Sequence, residues 1–394
     1  MTRLKIAVLS IIFSFFAVAF ADVFPVPEYG YVIDFPEGFS LDDGSEDFSL
    51  LMFRHTMLPV EVMTKVWPFE SYKSSADALK GTFSKIGAQG EIDTFRWRNQ
   101  PCAISKLTMQ NAALKGQHTG WACVIPLTGE KKGWLTVLAY VPVESASRCE
   151  PFLLSVLDSV MTDVGSYKDC GIATSYAFPA GVKKELHLNI AGKEIASQIG
   201  GEDELAAQFV IDREWAVFLL FAATEHAIHA WQRFYRMIAR DSMGRTKKIA
   251  FDIQNALMAD AQKADPDFPL AAIAQTLLNW SQHFTYARAS QTEDKADFVS
   301  IPSVLEGKPS DCDSRSMLLA VLLRHMGLDA CLFVSAAYSH AVLGVALEGK
   351  LGQTIHVDGT EYLVGETTAK DITLGMIDAT MQDSEKWIPV MFYD

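Results

Sequence analysis

Three residues late in the chain are of the types that acyl transfer through a thioester requires. Cys312 lies in Gly307-Lys308-Pro309-Ser310-Asp311-Cys312-Asp313-Ser314, where a Gly/Pro loop runs into short polar capping residues. The apolar run from Met317 to Met326 that follows, closed by Gly327, predicts a helix with a C-terminal glycine cap. Cys312 then stands at or one step from a helix N-terminus. Unpaired backbone N–H groups and the positive dipole end favour a thiolate there. The flanking Asp311 and Asp313 oppose ionisation, so an imidazolium partner is required to hold the sulfur charged. His340 is the candidate base, at the mouth of the strand Ala341–Leu347. Glu366, ending the strand 361–366, is the acid that would orient the ring and stabilise its charged form. This is the logic of nucleophile, general base and orienting acid. Asp358 is the rival acid, but Asp358-Gly359 is a hairpin-turn dipeptide, and a turn explains it better. Gln282 is a candidate oxyanion donor beside the Cys312 backbone N–H.

The order of elements around these residues is informative as a set. Leu277-Leu278-Asn279-Trp280 leads to Phe284-Thr285-Tyr286, then Pro302-Ser303-Val304-Leu305, then Asp311-Cys312-Asp313. The buried-strand pattern Ala330–Val334 comes next, His340 opens the following strand, and Glu366 ends a third. Over about residues 270–385 this order resembles the bacterial transglutaminase-like superfamily. The resemblance implies a papain-like core, with Cys312 as nucleophile, His340 as base and Glu366 as orienting acid. It implies chemistry on peptide or carboxamide bonds, with no cofactor and no metal. The chain departs from the pattern where Ser310 replaces a usual Gly and where Glu366-Thr367-Thr368 replaces a usual Asp-Pro-Thr. Hydrolysis, protease- or amidase-like, is favoured over crosslinking, because no amine-binding feature is readable.

Upstream, residues 22–165 read as an α/β domain with an antiparallel sheet. Strands are expected near 29–36, 50–52, 60–66, 91–97, 103–109, 120–127 and 134–141, with helices at 71–86 and 149–160. This order is similar to the photosystem extrinsic P-subunit family, which implies a binding module rather than a catalyst. Residues 166–265 form a connector. A hairpin is expected at 184–199, helix from Asp203 onward with strand as the alternative at 209–211 and 215–221, and helices at 225–240 and 246–257. His226 and His229 lie three apart, but among Ala, Ile and Trp they read as packing residues rather than a zinc pair. The expected fold class is thus α+β, with residues 266–394 carrying the chemistry.

Asp plus Glu is 48 against 34 Lys plus Arg, a net charge of −14, with no basic run, which argues against nucleic acid as partner. Arg3 and Lys5, the apolar stretch to Phe20 and Ala19-Phe20-Ala21 have the layout of a cleaved export signal over residues 1–21. The expectation is an exported protein, periplasmic or extracellular, with no membrane span after cleavage and a protein or peptide substrate. The alternative is a non-catalytic cell-envelope binding or assembly protein with a degenerate transglutaminase-like domain. Six cysteines leave pairing open among Cys102, Cys123, Cys149 and Cys170, while Cys331 reads as a buried free thiol.

Overall fold

The computed structural model describes residues 23–110, 116–290, 292 and 294–393; the expected export signal lies outside them. Near the start of the described chain, β1 (Val23–Val26) and β2 (Tyr31–Asp34) pair antiparallel. A larger antiparallel sheet follows from β3 (Phe39–Gly44), β4 (Leu50–His55), β5 (Glu61–Trp67), β6 (Ala88–Gln89), β7 (Asp93–Trp97), β8 (Gln100–Met109), β9 (His118–Leu127) and β10 (Gly133–Pro142). Its order is β3-β4-β5-β10-β9-β8-β6, with β7 on β8. β9 and β10 are buried almost throughout because helices cover both faces. Ala122, Val124, Leu138 and Tyr140 pack with Leu79 and Phe83 of α1 (Ser75–Ile86). Their neighbours Cys123, Ile125, Val137 and Ala139 pack with Phe152, Val156 and Leu157 of α2 (Ala146–Asp158). That two-residue alternation divides one pair of strands between two cores. β11 (Val160–Met161) then returns to pair with β2.

After α3 (Ile172–Ala177), the hairpin β12 (Lys183–Ile190) and β13 (Lys193–Gly200) buries Leu186, Leu188, Ile190, Ile195 and Ile199 on one face. Residues 203–219 are a single helix, α4 (Asp203–Leu219), which removes the strand alternative at 209–221. The two helices expected at 225–240 and 246–257 are one continuous helix, α5 (Ala227–Ala264). Gly244 lies inside it because a Cβ there would come within 2.7 Å of the Cys170 backbone N and 2.9 Å of its sulfur. Helix propensity is given up for that close approach.

α5 joins the two ends of the chain through buried arginines. Arg233 donates to Glu214 Oε2 at 2.8 Å, to Ser155 Oγ at 2.9 Å and to the Asp34 carbonyl at 3.0 Å. Arg236 holds the Asp34 carboxylate at 3.0 and 3.3 Å. Arg240 caps the carbonyls of Ser166 and Val160 at 3.0 and 3.1 Å, and Tyr393 also donates to Asp34. Arg213 of α4 pairs with Asp158 and Glu214. A buried charge is tolerated only when paired in this way.

The last third contains α6 (Pro269–Gln282), α7 (Ile301–Leu305), α8 (Cys312–His325) and strands β14 (Ala330–Ser335), β15 (His340–Val345), β16 (Thr354–Val357), β17 (Thr360–Gly365) and β18 (Ile388–Val390). The strands form an antiparallel sheet in the order β16-β17-β15-β14-β18. Leu332, Val334, Ala341, Leu343 and Leu363 share one core with α8; the alternate residues Cys331, Phe333, Val342, Tyr362 and Val364 join Trp387 on the opposite face. The fold is therefore mixed α+β, built from several antiparallel sheets and helices. The six cysteines are all free, so the open question of pairing resolves to none. Among the described residues no helix is long and apolar enough to cross a membrane.

Candidate active site

Cys312 is the first residue of α8. Asp311 is the N-cap: its Oδ1 accepts from the Ser314 backbone N at 3.3 Å and from Ser314 Oγ at 2.5 Å. This satisfies one of the free donors at the helix end and holds the turn that presents the sulfur. Ser310, where a glycine is usual in the pattern, is fully buried and accepts from Arg315 Nε at 3.2 Å. The hydroxyl therefore has a structural partner that glycine would lack.

His340 opens β15 after a four-residue loop whose last member, Ser339, has φ +49°. Glu366 follows β17 directly, and β15 and β17 are neighbours in the sheet. The two residues meet as a diagonal cross-strand pair: His340 Nε2 lies 2.6 Å from Glu366 Oε2. The other carboxylate oxygen accepts from the Thr368 backbone N at 2.7 Å and from Thr368 Oγ1 at 2.6 Å. Glu366 is thus fixed at both oxygens and mostly buried. Burial alone would raise its carboxyl. The hydrogen bond and charge of His340, together with the Thr368 bonds, outweigh burial and hold it below the usual carboxylate range. Trp387 covers the imidazole, with ring centroids 6.3 Å apart. Asp358, the rival acid, is in the turn between β16 and β17 with φ +48° and lines a different cavity, which leaves the turn reading in place.

Cys312 and His340 line one cavity of about 380 Å³. The surroundings of the sulfur work against the ionised form expected from the sequence. Burial first, then the charges of Asp313 and Asp311, push the thiol up to about 12; the backbone N–H groups of Ala341 and Asp313 act in the opposite sense and are outweighed. The two acids are themselves perturbed. Burial raises the Asp311 carboxyl, and burial plus the Asp311 charge raises that of Asp313 well above its usual value. Asp313 also accepts from the Tyr235 hydroxyl at 2.8 Å. Two adjacent carboxyls in poor contact with water do not both ionise readily. At rest the site therefore holds a neutral thiol beside a carboxyl pair and an oriented imidazole.

Gln282 is not aimed into the cavity. Its amide nitrogen donates to the carbonyls of Glu366 at 2.9 Å and Ile372 at 3.1 Å. It braces the Glu366 segment instead of offering an oxyanion donor, and it is buried rather than on the surface. The cavity is also lined by residues with no chemical motif: Trp215 from α4, and Trp231, Phe234 and Tyr235 from α5. The sequence reading confined the site to residues 266–394. The aromatic spacing at 231, 234 and 235 marks one helix face, but nothing in it says which cavity that face closes. Tyr286, Arg288 and Asp297 line it as well.

No protein-family model matches the chain, and no curated protein matches it. The weakly similar solved structures include the following three. Cyanobacterial PsbP (CyanoP) from Synechocystis sp. PCC 6803 has 12% identity and a TM-score of 0.30, over 37% of this chain and 95% of that one. The Ran-binding protein Mog1p of Saccharomyces cerevisiae has 10% identity and a TM-score of 0.29, over 38% of this chain and 98% of that one. A Bacteroides thetaiotaomicron VPI-5482 protein has 11% identity and a TM-score of 0.25, over 84% of this chain and 88% of that one. The first two amount to a weak resemblance to the PsbP-like fold, and no function is drawn from any of the three. None of these comparisons supports the transglutaminase-like resemblance, which rests on the order of motifs in the sequence.

Proposed function

We propose that the protein is an exported thiol acyl-transfer enzyme of the transglutaminase-like type, with a papain-like core, that hydrolyses peptide or carboxamide bonds. The observation that carries this reading is the His340–Glu366 pair, held at 2.6 Å, on the wall of the cavity that also contains Cys312 at a helix N-terminus. Because the thiol is neutral at rest, proton removal belongs to the attack itself. Nε2 of His340 is engaged by Glu366, so Nδ1 is the ring nitrogen left to take the thiol proton as sulfur adds to the carbonyl carbon. Glu366 stabilises the imidazolium that forms, and that imidazolium then protonates the leaving amine. The C–N bond breaks, a thioester on Cys312 remains, and water, deprotonated by the same ring, releases the acid and restores the thiol.

A stopped-flow burst with an activated acetate ester tests this reading. Wild type should release about one equivalent of chromophore before steady state, as acyl-enzyme chemistry requires. The burst should vanish in Cys312→Ala and slow by about 10²–10⁴-fold in His340→Ala. A burst that survives Cys312→Ala removes the assignment. A second reading, a non-catalytic envelope binding or assembly factor, is favoured by one observation: burial and two acids hold the thiol neutral. Under that reading Cys312→Ala behaves as wild type in every assay.

A further inference from the structure

Arg315 is a buried cation beside the candidate site that the acyl-transfer chemistry leaves unused. It follows Cys312 by three positions and so stands about one turn along α8. Its guanidinium is fully buried and reaches three segments at once. Nε donates to Ser310 Oγ at 3.2 Å, Nη2 to the Phe284 carbonyl at 3.0 Å and Nη1 to the Thr367 carbonyl at 3.3 Å. Ser310 precedes the cap of the nucleophile's helix, Phe284 lies just beyond α6, and Thr367 is the residue after Glu366. The guanidinium carbon also lies 5.8 and 5.6 Å from the ring centroids of Phe284 and Tyr286. Unlike Arg213, Arg233 and Arg236, and like Arg240, Arg315 reaches no carboxylate among the described residues. Burying a cation against neutral acceptors alone is costly. The acceptors of Arg240 belong to residues 158–166, whereas those of Arg315 belong to the segments that carry the candidate site.

β17 ends at Gly365, so the carbonyls of Glu366 and Thr367 lie beyond the strand and take side chains as partners instead. Gln282 holds the first at 2.9 Å and Arg315 holds the second. Thr367 Oγ1 adds two contacts to α8, at 3.4 Å to the Cys312 carbonyl and 3.3 Å to Ser316 Oγ. The sulfur and the imidazole arrive on different elements, α8 and β15. Glu366 fixes the imidazole, so the groups that fix Glu366 and Thr367 against α8 set how ring and sulfur meet. Resting on the enzymatic reading of this site, we propose that Arg315 is a positioning residue: it locks the Glu366–Thr367 segment onto the first turn of α8 and thereby aligns the His340 imidazole with Cys312. It does not line the cavity, and it moves no proton. Lysine would keep the charge but lacks the planar fork that spans three separate acceptors, so the function is geometric.

The test uses the full chain and two readouts. In proton NMR, recorded cold to slow exchange with water, the imidazole N–H shared with Glu366 should resonate far downfield in wild type and be absent in His340→Ala. In Arg315→Lys and Arg315→Met that resonance should be lost or broadened, with far-UV circular dichroism unchanged. Acylation by the activated acetate ester should slow by about 10–10²-fold in each. In a His340→Ala background, Arg315→Lys should slow acylation by less than about twofold more, because Arg315 acts only through the ring. An unchanged downfield proton in Arg315→Lys overturns the proposal. So does wild-type acylation in that variant, or a loss that multiplies with that of His340→Ala. If Arg315→Met does not fold, Arg315→Lys carries every comparison. The two claims separate. A wild type that forms no acyl-enzyme sinks the enzymatic reading, and the downfield proton then decides whether Arg315 holds the pair. An ester burst with a downfield proton indifferent to Arg315 does the reverse.

Discussion

Cys312 should react as a buried neutral thiol until substrate engages the site. Burial and the neighbouring Asp313 and Asp311 raise its ionisation from an ordinary 9.0 to about 12. Three pH units correspond to about a thousandfold less thiolate at pH 7 than an ordinary cysteine holds, and the thiolate is the nucleophile. Iodoacetamide alkylation at pH 7, followed by peptide mapping, should therefore label Cys312 about a thousandfold more slowly than a free peptide thiol. The rate should climb about tenfold per pH unit beyond pH 9, with no plateau near neutrality. Mapping is needed because the other cysteines are also held as thiols; burial raises Cys102 to about 12 and Cys123 well above 9.0. A rate that levels off below pH 7 would refute the reasoning. It would mean that a thiolate–imidazolium pair exists at rest and that the two aspartates do not control the sulfur.

Three further outcomes follow from the packing. Asp34→Ala should destabilise the protein by about 3–5 kcal/mol, because it leaves the buried guanidinium of Arg236 without its carboxylate; urea unfolding reads this, and the double variant Asp34→Leu/Arg236→Met should recover most of the loss. Asp313→Asn should stabilise the fold more at pH 8 than at pH 4. The raised Asp313 carboxyl means that the folded state binds a proton which the unfolded chain releases, so native stability falls as pH rises above the ordinary aspartate range, and the amide abolishes that slope; an equal effect at both values contradicts this. Gly344→Ala should cost about 1–3 kcal/mol in thermal melts, since the added methyl would sit 2.3 Å from the Phe333 ring.

Much of this arrangement is visible in the amino-acid order, and the exceptions have physical causes. Short apolar runs rich in β-branched and aromatic residues at 120–127 and 134–141 announce strands, and the acceptor side chain of Asp311 ahead of an apolar run announces the helix that begins at Cys312. Both signals are local. Residues 209–221 are ambiguous because a short apolar run fits a buried strand or a buried helix equally well. The interval 241–245 divides the two helices expected from sequence, whereas α5 runs through it and Gly244 is the point where that helix meets the Cys170 backbone. The neutral thiol is half legible: Asp311 and Asp313 adjoin Cys312 in sequence, but the largest contribution is burial, which only tertiary packing supplies. The aromatic wall from Trp215 and Trp231 was illegible as part of the site because about eighty to a hundred positions separate it from Cys312.

The most direct measurement is intact-mass analysis of protein quenched with acid during turnover of a peptide ester. The account predicts a single added acyl mass, mapped to Cys312, that is absent in Cys312→Ala and builds up far more slowly in His340→Ala. An adduct on any other residue, or acylation of Cys312 at the wild-type rate in His340→Ala, would contradict it.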